Sequence, residues 1–210
     1  MTAYDHAMVG ANLAWIAGLQ RKYGWPIVAI SALTSALPDW DGLSILFGAE
    51  AYARAHRVWG HNLIVASALA AAVAALGYIL YARGRFDKLA ARFQRSGVVA
   101  VISREFRTTD LAVWVLLGIV SSLSHLAFDL VYSGHAQLTP WPLPLLWPFS
   151  ERAWVYPIVP YGDLGATGLF IAEMFALYKW PLRATAIAWI SLSLVLIYVA
   201  ARWQLVSGTA

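Results

Sequence analysis

Two long stretches of this sequence contain no charged residue, and they limit the possible folds more than any other feature. They are residues 62–82 and 184–201. A helix needs roughly 20 mainly apolar residues to cross a hydrocarbon core of about 30 Å, and both stretches are long enough. The whole chain is 60% apolar and only 12% charged, which is unusual for a soluble protein. The sequence therefore predicts an all-α fold, a polytopic membrane helix bundle.

Further apolar stretches bring the predicted number of transmembrane helices to five or six, because the first one is short for a span. The predicted spans are residues 7–19, 23–38, 62–82, 111–132, 164–178 and 184–201. Residues 43–49 are apolar but too short to cross, which indicates a re-entrant or interfacial piece. We expect the spans and their connections to form a single membrane-embedded domain, residues 1–210.

One connecting loop, residues 83–110, holds seven of the fifteen basic residues. Because Lys and Arg are enriched in cytoplasmic loops, this loop is predicted to be cytoplasmic, which leaves only four basic residues outside. Phe86, Leu89 and Phe93 recur at helical spacing in it, as is typical of an amphipathic helix on an anionic lipid surface. The expected partner of the loop is therefore membrane lipid, and no nucleic acid partner is expected.

This orientation places every candidate metal ligand in the outer half of the membrane. The start of the first span, the end of the second and the start of the third lie at the outer face, and His125 is about four turns into its span, or roughly 21 Å from the cytoplasmic side. Four separate segments thus agree on one location. The candidate ligands that they supply are His6, Asp39, Asp41, His56, His61, His125 and Asp129.

The spacing of these residues suits a metal site. His125 and Asp129 are four residues apart, so they share one face of a helix and can hold one ion, or the carboxylate can orient the imidazole. His56 and His61 would diverge on a regular helix, but Gly60 between them allows a bend. With no cysteine in the chain, imidazole and carboxylate ligands favour one or two zinc ions, with manganese or iron as alternatives.

Each polar residue also has a structural explanation. His125 can be a helix-bundle histidine with satisfied hydrogen bonds, and Asp39 and Asp41 can be turn residues that bind local backbone. In a catalytic site, one of these two aspartates would bind the metal and the other would act as a base. Asp41 is a candidate for the catalytic role, and the sequence leaves the assignment of the two roles open. Arg57 is either an interfacial anchor or a catalytic group for an anionic substrate. Glu173, in the middle of a predicted span, is a catalytic candidate for proton handling, because a charge there is costly.

The order of these motifs resembles the membrane-bound metal-dependent hydrolase family, whose bacterial inner-membrane members include some under SOS-repressor control. The likeness covers about residues 1–150, although Gly60 and Asn62 stand where the family commonly has Thr and Ser. A weaker likeness links the ligand order to zinc-dependent phospholipase C and the P1-type nucleases. The resemblance implies phosphoester hydrolysis. The matching motifs are Pro38-Asp39-Trp40-Asp41, His56-Arg57-x-x-x-His61, Ser124-His125-x-x-x-Asp129 and Pro148-Phe149.

We therefore expect a multi-pass protein of the bacterial cytoplasmic membrane that hydrolyses a phosphoester of a lipid or lipid-linked compound at the non-cytoplasmic face. Arg57 or a second ion would stabilise the developing charge on the substrate. The Pro- and Trp-rich loop, residues 134–163, is expected to be irregular, non-cytoplasmic and able to admit a lipid headgroup. The alternatives are a metal-ion or proton-coupled transporter and a non-enzymatic membrane scaffold.

Overall fold

A computed structural model describes residues 1–93, 104–134, 140–160 and 162–207 of the chain. Within these ranges the regular structure is helical, apart from two isolated β-bridges between α7 and α8. This confirms the predicted all-α membrane helical fold. The helices are α1 (Ala3–Ile16), α2 (Gln20–Tyr23), α3 (Trp25–Ala36), α4 (Ala49–Ala55), α5 (Leu63–Ala82), α6 (Arg85–Phe93), α7 (Thr108–Val131), α8 (Gly165–Lys179) and α9 (Ala184–Ser207), with 3₁₀ segments at Leu37–Phe47 and Pro181–Arg183.

Three helical segments in the described residues are long and apolar enough to cross a membrane alone. They are α5, α7 and Pro181–Leu205, which contains most of α9. The other predicted spans coincide with α1, α3 and α8, which have 14, 12 and 15 residues. At about 1.5 Å per residue these helices are shorter than a hydrocarbon core of about 30 Å. The predicted count of five to six crossings therefore stays a prediction.

Side-chain caps fix where α1 and α5 begin. The Thr2 hydroxyl accepts a hydrogen bond from the Asp5 backbone N–H, and the Asp5 carboxylate accepts one from the Thr2 N–H, which together form a capping box. The Asn62 side-chain oxygen accepts from the Val65 N–H in the same manner. His6 follows Asp5 and His61 precedes Asn62, so the two caps help to fix the backbone positions of both histidines.

Small residues let the helices approach closely. α1 packs against α3, where the Ser31 hydroxyl donates to the Gly10 carbonyl at 2.6 Å and a Cβ on Gly10 would lie 2.3 Å from the Ser31 carbonyl oxygen. α5 packs against α7, where a Cβ on Gly118 would lie 2.8 Å from the Ala74 side chain. Close backbone contact of this kind is how helices associate in membranes. It also holds the four segments that carry the polar residues in fixed relation.

Three segments between the predicted spans are described in part. The 3₁₀ segment Leu37–Phe47 ends with Leu46 and Phe47 largely exposed, and its interfacial position stays a prediction. In the basic loop, α6 forms where an amphipathic helix was predicted, and residues 94–103 lie outside the described residues. The described parts of the loop at 134–163 contain only isolated bridges and turns, which agrees with the expectation of an irregular segment.

Reporter fusions test the predicted orientation. A fusion at residue 95 should report the cytoplasm, and fusions at residues 52 and 140 should report the opposite side, because the basic loop sets the orientation. The measurement is the activity of a side-specific reporter in intact cells. A fusion at residue 95 that reports the non-cytoplasmic side would place the polar cluster at the cytoplasmic face.

Candidate metal centre

All seven residues that were predicted as metal ligands meet in one cluster, at the point where α1 begins, α3 ends, α5 begins and α7 nears its end. His6 lies on α1, two residues lie on the 3₁₀ segment, two lie in the connection before α5, and two lie on α7. Most of them are buried. Their side chains are linked by contacts of 2.8 to 3.7 Å among His6, Asp39, Asp41, His56, His61, His125 and Asp129.

The hydrogen bonds of two histidines fix which of their nitrogens face the centre. His125 Nδ1 lies 2.8 Å from the Ser35 carbonyl oxygen, which can only accept, so this nitrogen carries the proton. His61 Nδ1 lies 3.0 Å from Asp41 Oδ2 and donates in the same way. If both rings are neutral, their Nε2 atoms carry lone pairs, and these atoms face each other at 3.1 Å. Two lone pairs at this distance repel unless a positive charge lies beside them.

Two carboxylates complete the centre. Asp39 Oδ1 lies 3.5 Å from His61 Nε2 and 3.6 Å from His125 Nε2. Asp129 Oδ2 lies 3.5 Å and 3.7 Å from the same two nitrogens. Each of the two carboxylates therefore lies beside both imidazole nitrogens. The side chain of Asp39 is 27% exposed whereas those of the other three are buried, so the centre opens on the Asp39 side.

The electrostatics of the centre call for a positive charge. Burial disfavours ionised Asp41, but hydrogen bonds from His56 and His61 outweigh burial and lower its pKa to about 2. Burial also disfavours charged His61, but the three neighbouring carboxylates outweigh it and raise the pKa of His61 to about 10. The carboxylates therefore remain ionised, and the space between the two Nε2 atoms attracts either a proton or a metal cation.

Asp41 orients the histidines of the connection before α5. Its two oxygens contact His56 Nδ1 at 2.8 Å and His61 Nδ1 at 3.0 Å, and Oδ2 also accepts from the Gly60 N–H at 2.8 Å. The side chain of Asp41 has no exposed surface. Both oxygens are thus occupied by donors, and the His56 ring is also stacked on Tyr52 with the ring centres 4.6 Å apart. This arrangement fits a carboxylate that holds imidazole ligands in place.

Arg57 holds Asp129 from the other side. Its guanidinium lies 3.1 Å from Asp129 Oδ2 and donates to the Ser133 hydroxyl at 2.7 Å and the Trp141 carbonyl at 3.1 Å. Arg57 is buried and has a φ of 63°, a conformation uncommon for a residue other than glycine. The Met1 backbone nitrogen also lies 3.2 Å from Asp129 Oδ1. The guanidinium thus makes three polar contacts within the protein.

His6 stands at the outer edge of the centre. Its Nε2 lies 3.1 Å from Asp129 Oδ1, and its ring stacks on His125 with the ring centres 3.5 Å apart. Its Nδ1 is buried and has no hydrogen-bond partner among the described residues. His6, Asp39 and His125 each offer one donor atom within 4.8 Å of the others. Asp129 therefore contacts His6 through one oxygen and the His61–His125 pair through the other.

Glu173 is the one predicted site residue that lies away from this cluster. Its carboxylate accepts from Asn12 Nδ2 at 3.0 Å and interacts with Ser191, so it lies among α1, α8 and α9. No hydrogen bond or ion pair joins it to the seven clustered residues in the described part of the chain. The cluster and Glu173 are therefore separate features of the bundle.

Several contacts in the centre were missing from the sequence-based prediction. They come from the Ser35 and Trp141 carbonyls, the Gly60 N–H and the Ser133 hydroxyl. Backbone groups carry no signal in the identity of a residue. Ser133 is four residues after Asp129, which is one helical turn, and this spacing is the one signal that could have indicated it.

Comparison with known proteins gives one match. No curated protein matches the chain, and no solved structure matches it. A family described as YdjM inner membrane protein matches residues 1–205. This match and the long apolar helices confirm the predicted location in the bacterial inner membrane. Because the match extends over nearly the full sequence, the chain belongs to the YdjM inner membrane protein family.

Proposed function

We propose that this protein is a metal-dependent hydrolase whose divalent ion, zinc in the first instance, binds between His61, His125, Asp39 and Asp129. The observation that carries the proposal is the pair of imidazole Nε2 atoms that face each other at 3.1 Å between two ionised carboxylates. Each ring has its Nδ1 committed to an acceptor, as is usual for histidines that bind metal. Buried ligands whose tautomers are already fixed bind an ion without reorganisation.

The distances agree with one ion. Four ligand atoms about 2.1 Å from a tetrahedral zinc lie roughly 3.4 Å from one another. The two imidazole nitrogens lie 3.1 Å apart, and each carboxylate oxygen lies 3.5 to 3.7 Å from both of them. Nitrogen and oxygen donors without sulfur also accept manganese or iron. Asp129 presents its second oxygen to His6, so a second ion would take His6 and share the Asp129 carboxylate.

Asp41 and Arg57 support the chemistry by holding the ligands in place. When bound, a divalent ion of this kind supplies Lewis acidity toward a phosphoryl oxygen and an attacking water. Asp41 keeps His61 in the tautomer that binds the ion. Arg57 orients Asp129 and offsets part of its negative charge. We therefore assign Asp41 and Arg57 a positioning role. The substrate approaches past Asp39, since its side chain is partly exposed.

A lipid or lipid-linked phosphoester is the proposed substrate class, at the non-cytoplasmic face. An apolar groove of about 600 Å³ lies beside the centre and is lined by Trp40, Leu43, Phe47 and Trp59, with Asp41 on its wall. Leu43 and Phe47 are largely exposed. Apolar surface of this kind suits a hydrocarbon chain, and the adjoining centre suits a phosphate group.

Hydrolysis of a phosphodiester panel by the purified protein tests the proposed activity. We expect turnover that a chelator abolishes and that zinc or manganese restores. Asp39→Asn should abolish turnover, because it removes the ligand on the open side. Glu50→Gln is the matched control, since Glu50 is an exposed carboxylate paired with Arg54, and it should leave turnover unchanged. Metal-loaded protein that hydrolyses no member of the panel would contradict the phosphoester assignment.

A further inference from the structure

Glu173 is a buried carboxyl group inside the bundle, and the proposed hydrolase chemistry does not use it. Glu173 is 3% exposed, and its neighbour Asn12 has no exposed surface. In the described part of the chain no Lys, Arg or His forms an ion pair with it. Two titratable groups lie in the surroundings of Glu173. The Tyr4 hydroxyl on α1 is close enough to interact electrostatically with it, and Arg183, just before α9, lines the same groove. An ionised carboxyl in this setting lacks a counter-charge.

The hydrogen bonds around Glu173 indicate that it carries a proton. Asn12 Nδ2 donates to Glu173 Oε2, which leaves Asn12 Oδ1 and Glu173 Oε1 as two buried acceptors without a partner. A single proton on Glu173 Oε1 would turn one of these two acceptors into a donor. If Glu173 Oε1 is protonated, its O–H can donate a hydrogen bond, and Asn12 Oδ1 is available to accept it. The pair then resembles the cyclic dimer of an amide and a carboxylic acid.

A groove between α8 and α9 leads to this pair from the outside of the bundle. It has a volume of about 400 Å³, and Glu173 and Ser191 lie among its lining residues. The remaining walls are largely apolar, and Trp180 and Arg183 line it at the helix ends. α9 belongs to a segment that can span a membrane, so we expect the groove to face the hydrocarbon phase. Neutral molecules dissolved in lipid can therefore approach the carboxyl group.

We propose that Glu173, held by Asn12, is an intramembrane proton-binding site that lipid-soluble molecules reach through the groove between α8 and α9. The ligand is a proton. The site is separate from the metal centre, with which Glu173 makes no described contact. Its occupancy is therefore expected to be the same whether or not the centre holds metal.

Labelling with dicyclohexylcarbodiimide, which adds to protonated carboxyl groups in apolar surroundings, tests this proposal on the full-length protein in membranes. Mass spectrometry should find the adduct on Glu173 at neutral pH and progressively less of it as the pH is raised. Glu173→Gln should abolish that adduct and remain folded, because a Gln amide can donate to Asn12 Oδ1 as the protonated acid does. Glu50→Gln is the matched control and should leave labelling at Glu173 unchanged.

Infrared spectroscopy supplies the second measurement. The carbonyl band of a protonated carboxylic acid should be present in the wild-type protein and absent in Glu173→Gln. If the band is missing, Glu173 is ionised and the proposal is wrong. If the band is present but the carbodiimide never reaches Glu173, the pair only joins helices and the proposed site is also wrong. Equal labelling by a water-soluble, charged carbodiimide would contradict access from the lipid.

Discussion

His125→Ala should lose most of its bound metal while the protein still inserts into the membrane. The substitution removes Nε2, which the Ser35 carbonyl holds toward the centre, so one of the four donors disappears. Metal per mole of purified protein, measured by mass spectrometry, gives the result. His135→Ala should keep its metal, as the sequence-based ligand assignment predicts. His135 lies outside the described residues.

A graded comparison separates ligands from the residues that orient them. Asp41→Asn should weaken metal binding by about 10–100-fold, the ordinary effect of losing a group that orients a ligand, and His125→Ala should have a larger effect. Equal metal content in His125→Ala and the wild-type protein would show that the ligand assignment is wrong. A larger loss in Asp41→Asn than in His125→Ala would show that Asp41 is itself a ligand.

Gly60→Ala should disrupt the centre without changing any candidate ligand. A Cβ at this position would lie 2.0 Å from the Pro38 carbonyl oxygen and 3.0 Å from Trp40 Nε1. A backbone carbonyl cannot yield as a flexible side chain can, so the turn that carries Asp39 and Asp41 must move away. Overpacking of this kind costs about 1–3 kcal/mol, and the shift of two aspartates should also remove metal. Thermal unfolding in detergent and metal analysis measure the two effects.

Gly168→Ala is the matched control for this substitution. Gly168 lies within α8, and a Cβ there would meet no atom within 4 Å. Because Ala restricts the unfolded chain more than Gly, stability should rise by roughly 0.5–1 kcal/mol. Unchanged unfolding temperature and metal content in Gly60→Ala would contradict the close packing of the Pro38 turn against the connection before α5.

The meeting of four segments could be predicted from the sequence, because it depends on features that residue identity carries. The basic residues of the 83–110 loop suggested an orientation, and the apolar runs suggested where each span begins. The four-residue spacing of His125 and Asp129 predicted a shared helix face. The structure places all the predicted ligands together, while the orientation itself stays a prediction.

The arrangement of His56 and His61 could not be predicted in the same way. Their spacing of five residues would separate them on a helix, and they meet at Asp41 because the chain between them is not helical. α4 ends at Ala55, His56 is extended, and Arg57 has a φ of 63°. A left-handed arginine has no local sequence signal. It is stabilised by its contacts to Asp129, Ser133 and the Trp141 carbonyl.

Glu173 illustrates a different limit. Hydropathy correctly marks a carboxyl in a predicted span as unusual, but it gives no information about which neighbours surround it. The partner is Asn12, an uncharged residue in an apolar stretch of α1. The packing of α1 against α8 and α9 brings Asn12 and Glu173 together, and the sequence alone does not show this packing.

X-ray absorption spectroscopy of the purified protein at the metal edge tests the central claim most directly, namely that one ion binds between two imidazoles and two carboxylates. We expect a first shell of nitrogen and oxygen at about 2.0–2.2 Å, with the outer-shell scattering of about two imidazole rings, and loss of part of that scattering in His61→Ala. A protein that binds no metal, or whose metal shows only oxygen neighbours without imidazole scattering, would contradict the account.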